Sequence, residues 1–455
     1  MWMKMELGDE NLHRYFRVYT YYRELIETGR LEPGTRLPSI RKCAGQLKLS
    51  RTTIETAYMM LAAEGYIVSR PQSGYYVSEL AAARREPFPV EETKGKGEEI
   101  LFDFAASNVD RDSFQFGLWR RYIKSALRQD ERLLSYGEPQ GERELREALC
   151  GYLERHRNVV CTPEHIVVGA GVQSLLHILC PMLRERKQAV FYNPDFRQGR
   201  TIFQDYGFEI SGAGKACGKS GEMFSLPEGS LFYLTPSQMT VWGEVMHISE
   251  RMELIKEAFE KDILIIEDDY NSEFRYYNRP TPSLQSLSGG RNVVYLGTFS
   301  RLLLPSIRMS FMVLTPELLS LYKERGRFYN QTASKAEQIA LCQFIRDGHL
   351  ESQIRKTRKL YTAKAGKLCE DIKTVFGEKA VPHLGEAGFL VLAEIKTELS
   401  SEEIAKRGAE AGVAVRPAPA ENENGKWPRI LLSCSTVAAE HYEEALIRLK
   451  KAVFS

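Results

Sequence analysis

Residues 263–275 read Ile-Leu-Ile-Ile-Glu-Asp-Asp-Tyr-Asn-Ser-Glu-Phe-Arg. The opening run, Ile263 to Ile266, is apolar at consecutive positions, which suits a strand buried on both faces and not one with a wet side. Ile166 to Val168, Ala189 to Tyr192, Leu231 to Leu234, Val293 to Leu296 and Met309 to Leu314 are runs of the same kind, and stretches of helical pattern separate them. Strands that alternate with helices build a largely parallel sheet, so the chain from Ile100 onward reads as an α/β domain. No internal repeat of that unit is visible.

At 455 residues the chain exceeds the size at which a single core stops growing, so two or three domains are expected. With 43% hydrophobic and 27% charged residues, the composition is that of a soluble globular protein and excludes a wholly disordered or membrane-embedded chain. Lysine plus arginine (62) nearly cancels aspartate plus glutamate (60), so attraction to a polyanion must come from a local patch. The cysteines Cys43, Cys150, Cys161, Cys180, Cys217, Cys342, Cys369 and Cys434 form no C-x-x-C pair; free buried thiols in a reducing compartment are expected, not a zinc site. Met1 to Glu10 lacks the apolar core of a secretory signal, and no run approaches the ~18 apolar residues of a membrane helix. A cytoplasmic location is the expectation. Between residues 78 and 99 the apolar rhythm stops; Pro87, Pro89 and Lys94-Gly95-Lys96-Gly97 mark a linker between a domain at 1–77 and one at 100–455.

The first domain has its own logic. A helix over Leu12 to Thr28 carries Phe16, Tyr19, Leu25 and Ile26 on one side and stops at Gly29. Ser39 is a good N-cap for a short helix through Leu47, and Ser50 for a second over Arg51 to Gly65. Two capped helices across a tight turn make a helix-turn-helix. In it Arg51, Thr52 and Thr53 occupy the first turn of the recognition helix, where side chains meet base edges and free N–H groups meet phosphate. Tyr66 to Val77 follows as two short strands around Pro71-Gln72-Ser73-Gly74, a wing led by Arg70. The run from Gly29 to Ser39, then Ser50-Arg51-Thr52-Thr53, Leu61-Ala62-Ala63-Glu64-Gly65-Tyr66 and Ser73-Gly74-Tyr75-Tyr76-Val77 resemble the winged helix of the GntR regulators. That resemblance implies binding to double-stranded DNA through Arg36, Ser39, Arg41, Arg51, Thr52, Thr53 and Tyr58, with Gly74 at the wing tip. Gln72 departs from the family's usual glycine.

In the second domain Gly169-Ala170-Gly171-Val172-Gln173-Ser174 follows a strand and opens a helix, an arrangement that cradles anions but also serves plain packing. Further matches come in order. Tyr192-Asn193-Pro194-Asp195-Phe196, Glu267-Asp268-Asp269-Tyr270, and Tyr295-Leu296-Gly297-Thr298-Phe299-Ser300-Arg301 with Leu304-Pro305-Ser306-Ile307-Arg308 resemble the cofactor-binding segments of fold-type I aminotransferases. Winged helix and aminotransferase-like domain together resemble the MocR subfamily of GntR regulators over nearly the whole chain. The resemblance implies a small C-terminal α+β subdomain from about Glu337, and a head-to-tail homodimer in which Tyr136 is offered to the partner's site. It also implies a pyridoxal phosphate-like site made of Gly171, Val172, Gln173, Phe196, Asp268, Tyr270, Ser300, Arg301 and Arg308. Phe196 would lie on the ring, Asp268 at the pyridine nitrogen, Tyr270 at the ring hydroxyl and Arg308 at the phosphate.

Three departures fall in that site. The family's Schiff-base lysine coincides with Arg301, and an arginine side chain stays protonated and offers no neutral amine to attack an aldehyde. Lys261 and Lys323 lie outside the strand-end motif. Val172 lacks the usual hydroxyl, and Thr235-Pro236-Ser237-Gln238-Met239-Thr240-Val241-Trp242-Gly243 departs from the family's T-P-S-H-Q-x-P-x-G loop. The expectation is a regulator, not an enzyme, that holds pyridoxal 5'-phosphate or pyridoxamine phosphate without a covalent bond, if it holds either. Arg301 also suits a phosphate or carboxylate bidentately, and Arg416 and Arg429 are candidates for an effector carboxylate by position alone. Other readings stand beside these. Asp268 serves equally as a turn carboxylate and Tyr270 as a core ring, the chain reads alternatively as an aminotransferase-like enzyme, and the large domain alternatively serves only dimerisation.

Overall fold

The structure is a computed structural model describing residues 13–79, 100–106, 108–192, 196–213, 224–276, 281–418 and 427–455, apart from the side chain of Arg327. Most of the expected linker, Asn193-Pro194-Asp195, Cys217 and the first twelve residues lie outside the described residues. The chain divides into two compact units, Met1–Lys96 and Gly97–Ser455.

In the first unit α1 (Arg14–Glu27) buries Val18, Tyr19, Tyr22 and Ile26, three of them spaced by four residues and so on one helix face. The Ser39 side chain accepts from the Lys42 N–H at the start of α2 (Ile40–Leu47), and Ser50 accepts from Thr53 N–H at the start of α3 (Arg51–Ala63). Each such cap contributes about 1 kcal/mol by satisfying a donor that the helix itself cannot. Ile54, Ala57, Tyr58 and Leu61 of α3 close the core against α1. The hairpin of β1 (Ile67–Arg70) and β2 (Gly74–Val77) is antiparallel, Ile67 facing Val77 and Arg70 facing Gly74. Its turn is Pro71-Gln72-Ser73, and Gln72 sits at φ 60. Gln72 therefore adopts the left-handed conformation that glycine would take freely, at a cost of about 1 kcal/mol. Gly74 opens the second strand, so the wing tip is one to three residues earlier than expected.

The second unit begins with the short β3 (Phe102–Asp103) and is built on a seven-stranded sheet. Its strands are β4 (Ile166–Gly169), β5 (Gln188–Phe191), β6 (Glu209–Gly212), β7 (Leu231–Leu234), β8 (Leu264–Asp268), β9 (Val293–Thr298) and β10 (Ser310–Val313), in the order β4-β10-β9-β8-β7-β5-β6. Only β10 runs antiparallel to its neighbours. Both faces are covered. Tyr233, Ile266 and Leu296 pack toward the helices Val172–Leu179, Arg197–Asp205 and Pro316–Arg325, while Phe232, Ile265 and Val293 pack toward the helix Ile248–Glu260. Two-sided burial explains the continuous apolar runs. β6 has no such run because it is the sheet's edge, where Glu209, Ser211 and Gly212 face solvent.

A 28-residue helix, His349–Phe376, leads to an antiparallel sheet of β11 (Ala380–Leu384), β12 (Leu390–Ile395), β15 (Arg429–Ser433) and β14 (Arg416–Pro417), in that order. β3 pairs in parallel with β13 (Val413–Ala414), which joins the residues after Ile100 to this C-terminal part and not to the large sheet. Among the described residues no helix is long and apolar enough to cross a membrane, and no group of acidic, histidine or cysteine side chains is arranged to hold a metal. The described cysteines are free: Cys43, Cys180, Cys342 and Cys434 are buried as expected, whereas Cys150, Cys161 and Cys369 are only half-buried.

Candidate functional site

Glu267 and Asp268 end β8 and Asp269 follows it, and strand alternation sends neighbouring side chains to opposite faces. Glu267 accepts from the backbone N–H groups of Leu284 and Gln285 at 3.0 Å each, and Arg251 lies 3.7 Å from it. Asp269 accepts from Arg157 at 2.7 Å and from the Tyr295 hydroxyl at 2.6 Å. Burial raises the Glu267 carboxyl to about 7 with help from the Asp269 charge. Burial pushes Asp269 the same way, but Arg157 and hydrogen bonds from Ser237 and Tyr295 overcome it and hold Asp269 below the usual carboxylate range. Glu267 and one oxygen of Asp269 are thus met by buried partners from the protein itself, while Asp269 Oδ1 is buried with no hydrogen-bond partner among the described residues.

Asp268 points to the other face and is 7% exposed. Its Oδ2 accepts from the Tyr233 hydroxyl at 2.6 Å, while its Oδ1 is buried with no partner among the described residues. Burial raises its carboxyl to about 7, against the Tyr233 hydrogen bond and the Arg301 charge, which pull the other way. The Tyr233 ring is stacked between Phe191, at 5.0 Å between centroids, and Phe196, at 5.3 Å. Phe196 and Asp268 are thus brought together through a tyrosine that sequence reasoning missed. The available signal was a hydroxyl inside the apolar run Leu231 to Leu234, because a buried tyrosine must find an acceptor.

Arg301 follows the end of β9 and lies over the Tyr270 ring at 5.1 Å and over the Phe389 ring at 4.7 Å. Burial lowers its pKa from the usual arginine value, Tyr270 and Asp268 oppose that, and Arg416 reinforces it. Ser300 accepts from Thr298 Oγ1 at 3.2 Å, and its N–H donates back to the same oxygen. At the mouth of the helix Val172–Leu179, Gly171 has φ 117, and a Cβ there would overlap the Arg308 guanidinium. The positive φ favours glycine here, while the Arg308 guanidinium, at the end of a flexible side chain, could move aside. Arg308 itself is exposed in a left-handed conformation at φ 48, Val172 is half-buried and Gln173 exposed on the first helical turn. This places a cation against the N–H groups of a helix N-terminus, an arrangement suited to phosphate.

Two residues stand elsewhere. Tyr136 is 99% exposed and reaches none of these groups in its own chain. Arg429 lies 3.7 Å from Glu394 and lines a separate cavity of about 310 Å³ with Trp242, His383 and Leu392. Trp242 is buried against Leu392 and Leu431, so its bulk is absorbed by the C-terminal sheet.

The donor set fits the cofactor that the fold implies. The unpartnered Asp268 Oδ1 suits a protonated ring nitrogen, and the Gly171 cradle with Arg308 suits a phosphate.

In the first unit Arg36, Ser39, Arg41, Arg51 and Thr52 are exposed and Thr53 half-buried. Arg36 and Arg70 lie over the Tyr76 ring at 5.9 Å and 4.6 Å, which makes the wing a two-arginine surface. Tyr58 is a correction: it is wholly buried, its hydroxyl donates to the Pro38 carbonyl at 3.1 Å, and its ring packs edge-on against Tyr22. Its place on α3 beside Ile54 and Leu61 turns it inward, so it is a core residue and not a DNA contact.

Residues 14–77 match the family described as bacterial regulatory proteins, gntR family, and residues 99–449 match aminotransferase class I and II. Over 96% of both chains the sequence is 34% identical to the uncharacterized HTH-type transcriptional regulator YdeL of Bacillus subtilis (strain 168). It is 29% identical to the probable rhizopine catabolism regulatory protein MocR of Rhizobium meliloti, over 90% of this chain and 87% of that one. The chain belongs to the MocR-type GntR regulators. The MocR-type assignment agrees with the fold: the solved α-aminoadipate aminotransferase LysN of Thermus thermophilus covers 78% of this chain and 92% of its own, with a TM-score of 0.65 at 22% identity. This MocR-type regulator therefore combines a winged helix-turn-helix with a fold-type I aminotransferase fold.

Proposed function

We propose that this regulator binds double-stranded DNA as a head-to-tail homodimer and that its aminotransferase-like unit recognises a small molecule without forming a covalent bond to it and without transaminating it. The observation that carries this reading is Arg301: a guanidinium held between Tyr270 and Phe389 where the family resemblance puts the cofactor lysine. Pyridoxal phosphate supplies an aldehyde and an electron sink when bound, and Arg301 offers no free amine to join it. Bound non-covalently, pyridoxal or pyridoxamine phosphate would use Arg308 and the Gly171 turn for its phosphate, Asp268 for its ring nitrogen, Tyr270 for its hydroxyl and Phe196 for its ring face. Tyr136, fully exposed in its own chain, would reach the partner's site. An amino acid or a related acid is the alternative ligand class.

On DNA, Arg51, Thr52 and Thr53 would enter the major groove, with Arg36, Ser39, Arg41 and the wing at Gly74 and Arg70 on the backbone. Ten basic against six acidic side chains between His13 and Glu79 support this, because the whole chain is nearly neutral. A ligand that binds two arrangements of the dimer unequally would change the spacing of the two readers. The test is an equilibrium titration of the full chain with pyridoxal phosphate, pyridoxamine phosphate and amino acids, with DNA affinity measured in each state. A borohydride-trapped cofactor on any lysine, or turnover of an amino donor, would overturn the non-covalent reading.

A further inference from the structure

Cys150 and Cys161 lie eleven residues apart in the chain, and their sulfurs approach to 3.7 Å, the Cys161 thiol donating to Cys150. The Cys150 thiol in turn donates to the Cys161 carbonyl at 3.1 Å. A turn makes the contact. The helix Arg143–Arg157 carries Cys150 and ends at Asn158, left-handed at φ 54, after which the chain returns past Leu153, whose carbonyl accepts from the Val159 N–H. Both thiols are half-buried, so a small solute reaches them. Cys43, Cys180, Cys342, Cys369 and Cys434 have no second thiol within hydrogen-bond reach among the described residues.

The segment between the two sulfurs carries two contacts to β8. Arg157, the last residue of the helix, donates to Asp269 at 2.7 Å. Val160 is held at both backbone groups by Gln285: its N–H donates to Oε1 at 2.9 Å and its carbonyl accepts from Nε2 at 2.7 Å. The Gln285 N–H is itself one of the two that meet Glu267. Residues 150–161 therefore fasten both neighbours of Asp268, one directly and one through Gln285.

We propose that Cys150 and Cys161 are a dithiol site for hydroperoxides, and that their disulfide ties down the segment that holds the end of β8. The Cys150 sulfur attacks a peroxide oxygen: an S–O bond forms, the O–O bond breaks, and the departing alkoxide or hydroxide takes the Cys150 proton. The Cys161 sulfur then attacks the sulfenic sulfur. An S–S bond forms, the S–O bond breaks, and the leaving hydroxide takes the Cys161 proton to become water. Two thiols are oxidised to one disulfide, and one hydroperoxide is reduced to an alcohol, or to water, with one further water. The order of the two sulfurs follows from the contact. Burial and the adjoining Cys150 sulfur keep Cys161 protonated, and its S–H is aimed at Cys150. A sulfur that receives a hydrogen bond is the one favoured as thiolate, which is the attacking form.

The experiment treats the reduced full chain with equimolar hydrogen peroxide, blocks the remaining thiols with iodoacetamide and maps the tryptic peptides without reduction. Trypsin cuts after Arg155 and Arg157, between the two thiols, so their peptides travel together only when the sulfurs are bonded. The expected product is a Cys150–Cys161 linkage that dithiothreitol dissolves and that forms about tenfold or more faster than any other cysteine is oxidised. In Cys161→Ser the reaction should stop at a sulfenic acid on Cys150, captured by dimedone, and in Cys150→Ser the Cys161 thiol should stay reduced. The wild-type map stands without these variants should either fold poorly. Hydrogen exchange at the Val160 amide is expected to slow by about tenfold in the oxidised wild-type chain. Sulfinic acid on Cys150 beside an untouched Cys161, or linkage of either thiol to another cysteine, would overturn the dithiol site. A mapped linkage with unchanged exchange at Val160 would overturn the fastening of β8.

Discussion

Tyr233→Phe removes a single oxygen, and its effect should depend on pH. The Tyr233 hydroxyl is the donor that Asp268 Oδ2 meets, at 2.6 Å, and Oδ1 already has none. Asp268 titrates near 7 in the folded chain because burial disfavours its charge. In the unfolded chain an aspartate titrates near ~3.9. Between those values the native state holds a proton that the unfolded state has released, so this residue's contribution to stability is present at low pH and is lost as pH rises from ~4 through ~7, by about 4 kcal/mol in all. Loss of the Tyr233 donor costs a neutral hydrogen bond of about 0.5–1.5 kcal/mol while the carboxyl is protonated, and about 1.5–3 kcal/mol once it is ionised. The difference raises the Asp268 pKa by a further one unit or so. Urea unfolding of the second unit at about pH 5 and about pH 9 should therefore show a destabilisation about 1 kcal/mol larger at the higher pH. Equal losses at the two pH values would refute the reasoning, since they would mean either that Asp268 does not ionise in this window or that Tyr233 does not sense it.

Arg157→Met should cost about 3–5 kcal/mol in urea unfolding, because it strands the Asp269 charge in a site only 2% exposed; a loss below about 1 kcal/mol would show that the carboxyl simply protonates. Tyr58→Phe should lower stability by about 0.5–1.5 kcal/mol while leaving operator affinity unchanged in gel-shift titrations. Arg51→Ala should leave stability intact and weaken the operator complex by about 1–3 kcal/mol if it reads a base, or reduce the salt slope by about one if it reads phosphate. Arg301→Lys should permit borohydride trapping of pyridoxal phosphate on residue 301, detected as an added mass on that peptide; no adduct at saturating cofactor would show that more than the amine has been lost.

The large sheet was legible because two-sided burial writes itself as unbroken apolar runs, and the helix-turn-helix because Ser39 and Ser50 are caps whose chemistry is local. β6 and the pairing of Phe102–Asp103 with Val413–Ala414 were not legible: an edge strand carries no apolar signature, and a two-residue pairing across more than three hundred residues has no local one. In the site, residues on known motifs were found in order, but their partners were not. Tyr233, Phe389 and Arg157 come from distant parts of the chain, and nothing along it says that they will meet Asp268, Arg301 and Asp269 respectively. Tyr58 was misplaced for the same reason: a motif position fixes the helix, while the rotation of that helix is set by the packing of Ile54, Ala57 and Leu61.

The consecutive acids at the end of β8 make that strand intolerant of any change in length. Deleting one residue between Leu264 and Glu267 would exchange the two sides, bringing Asp269 round toward Tyr233 and Asp268 toward Arg251 and the Leu284 and Gln285 N–H groups, each facing the wrong neighbour. Substitutions at these positions can be compensated by repacking nearby, but an insertion or deletion here inverts inside and outside at one stroke, so natural variation in this strand should be confined to changes of side chain.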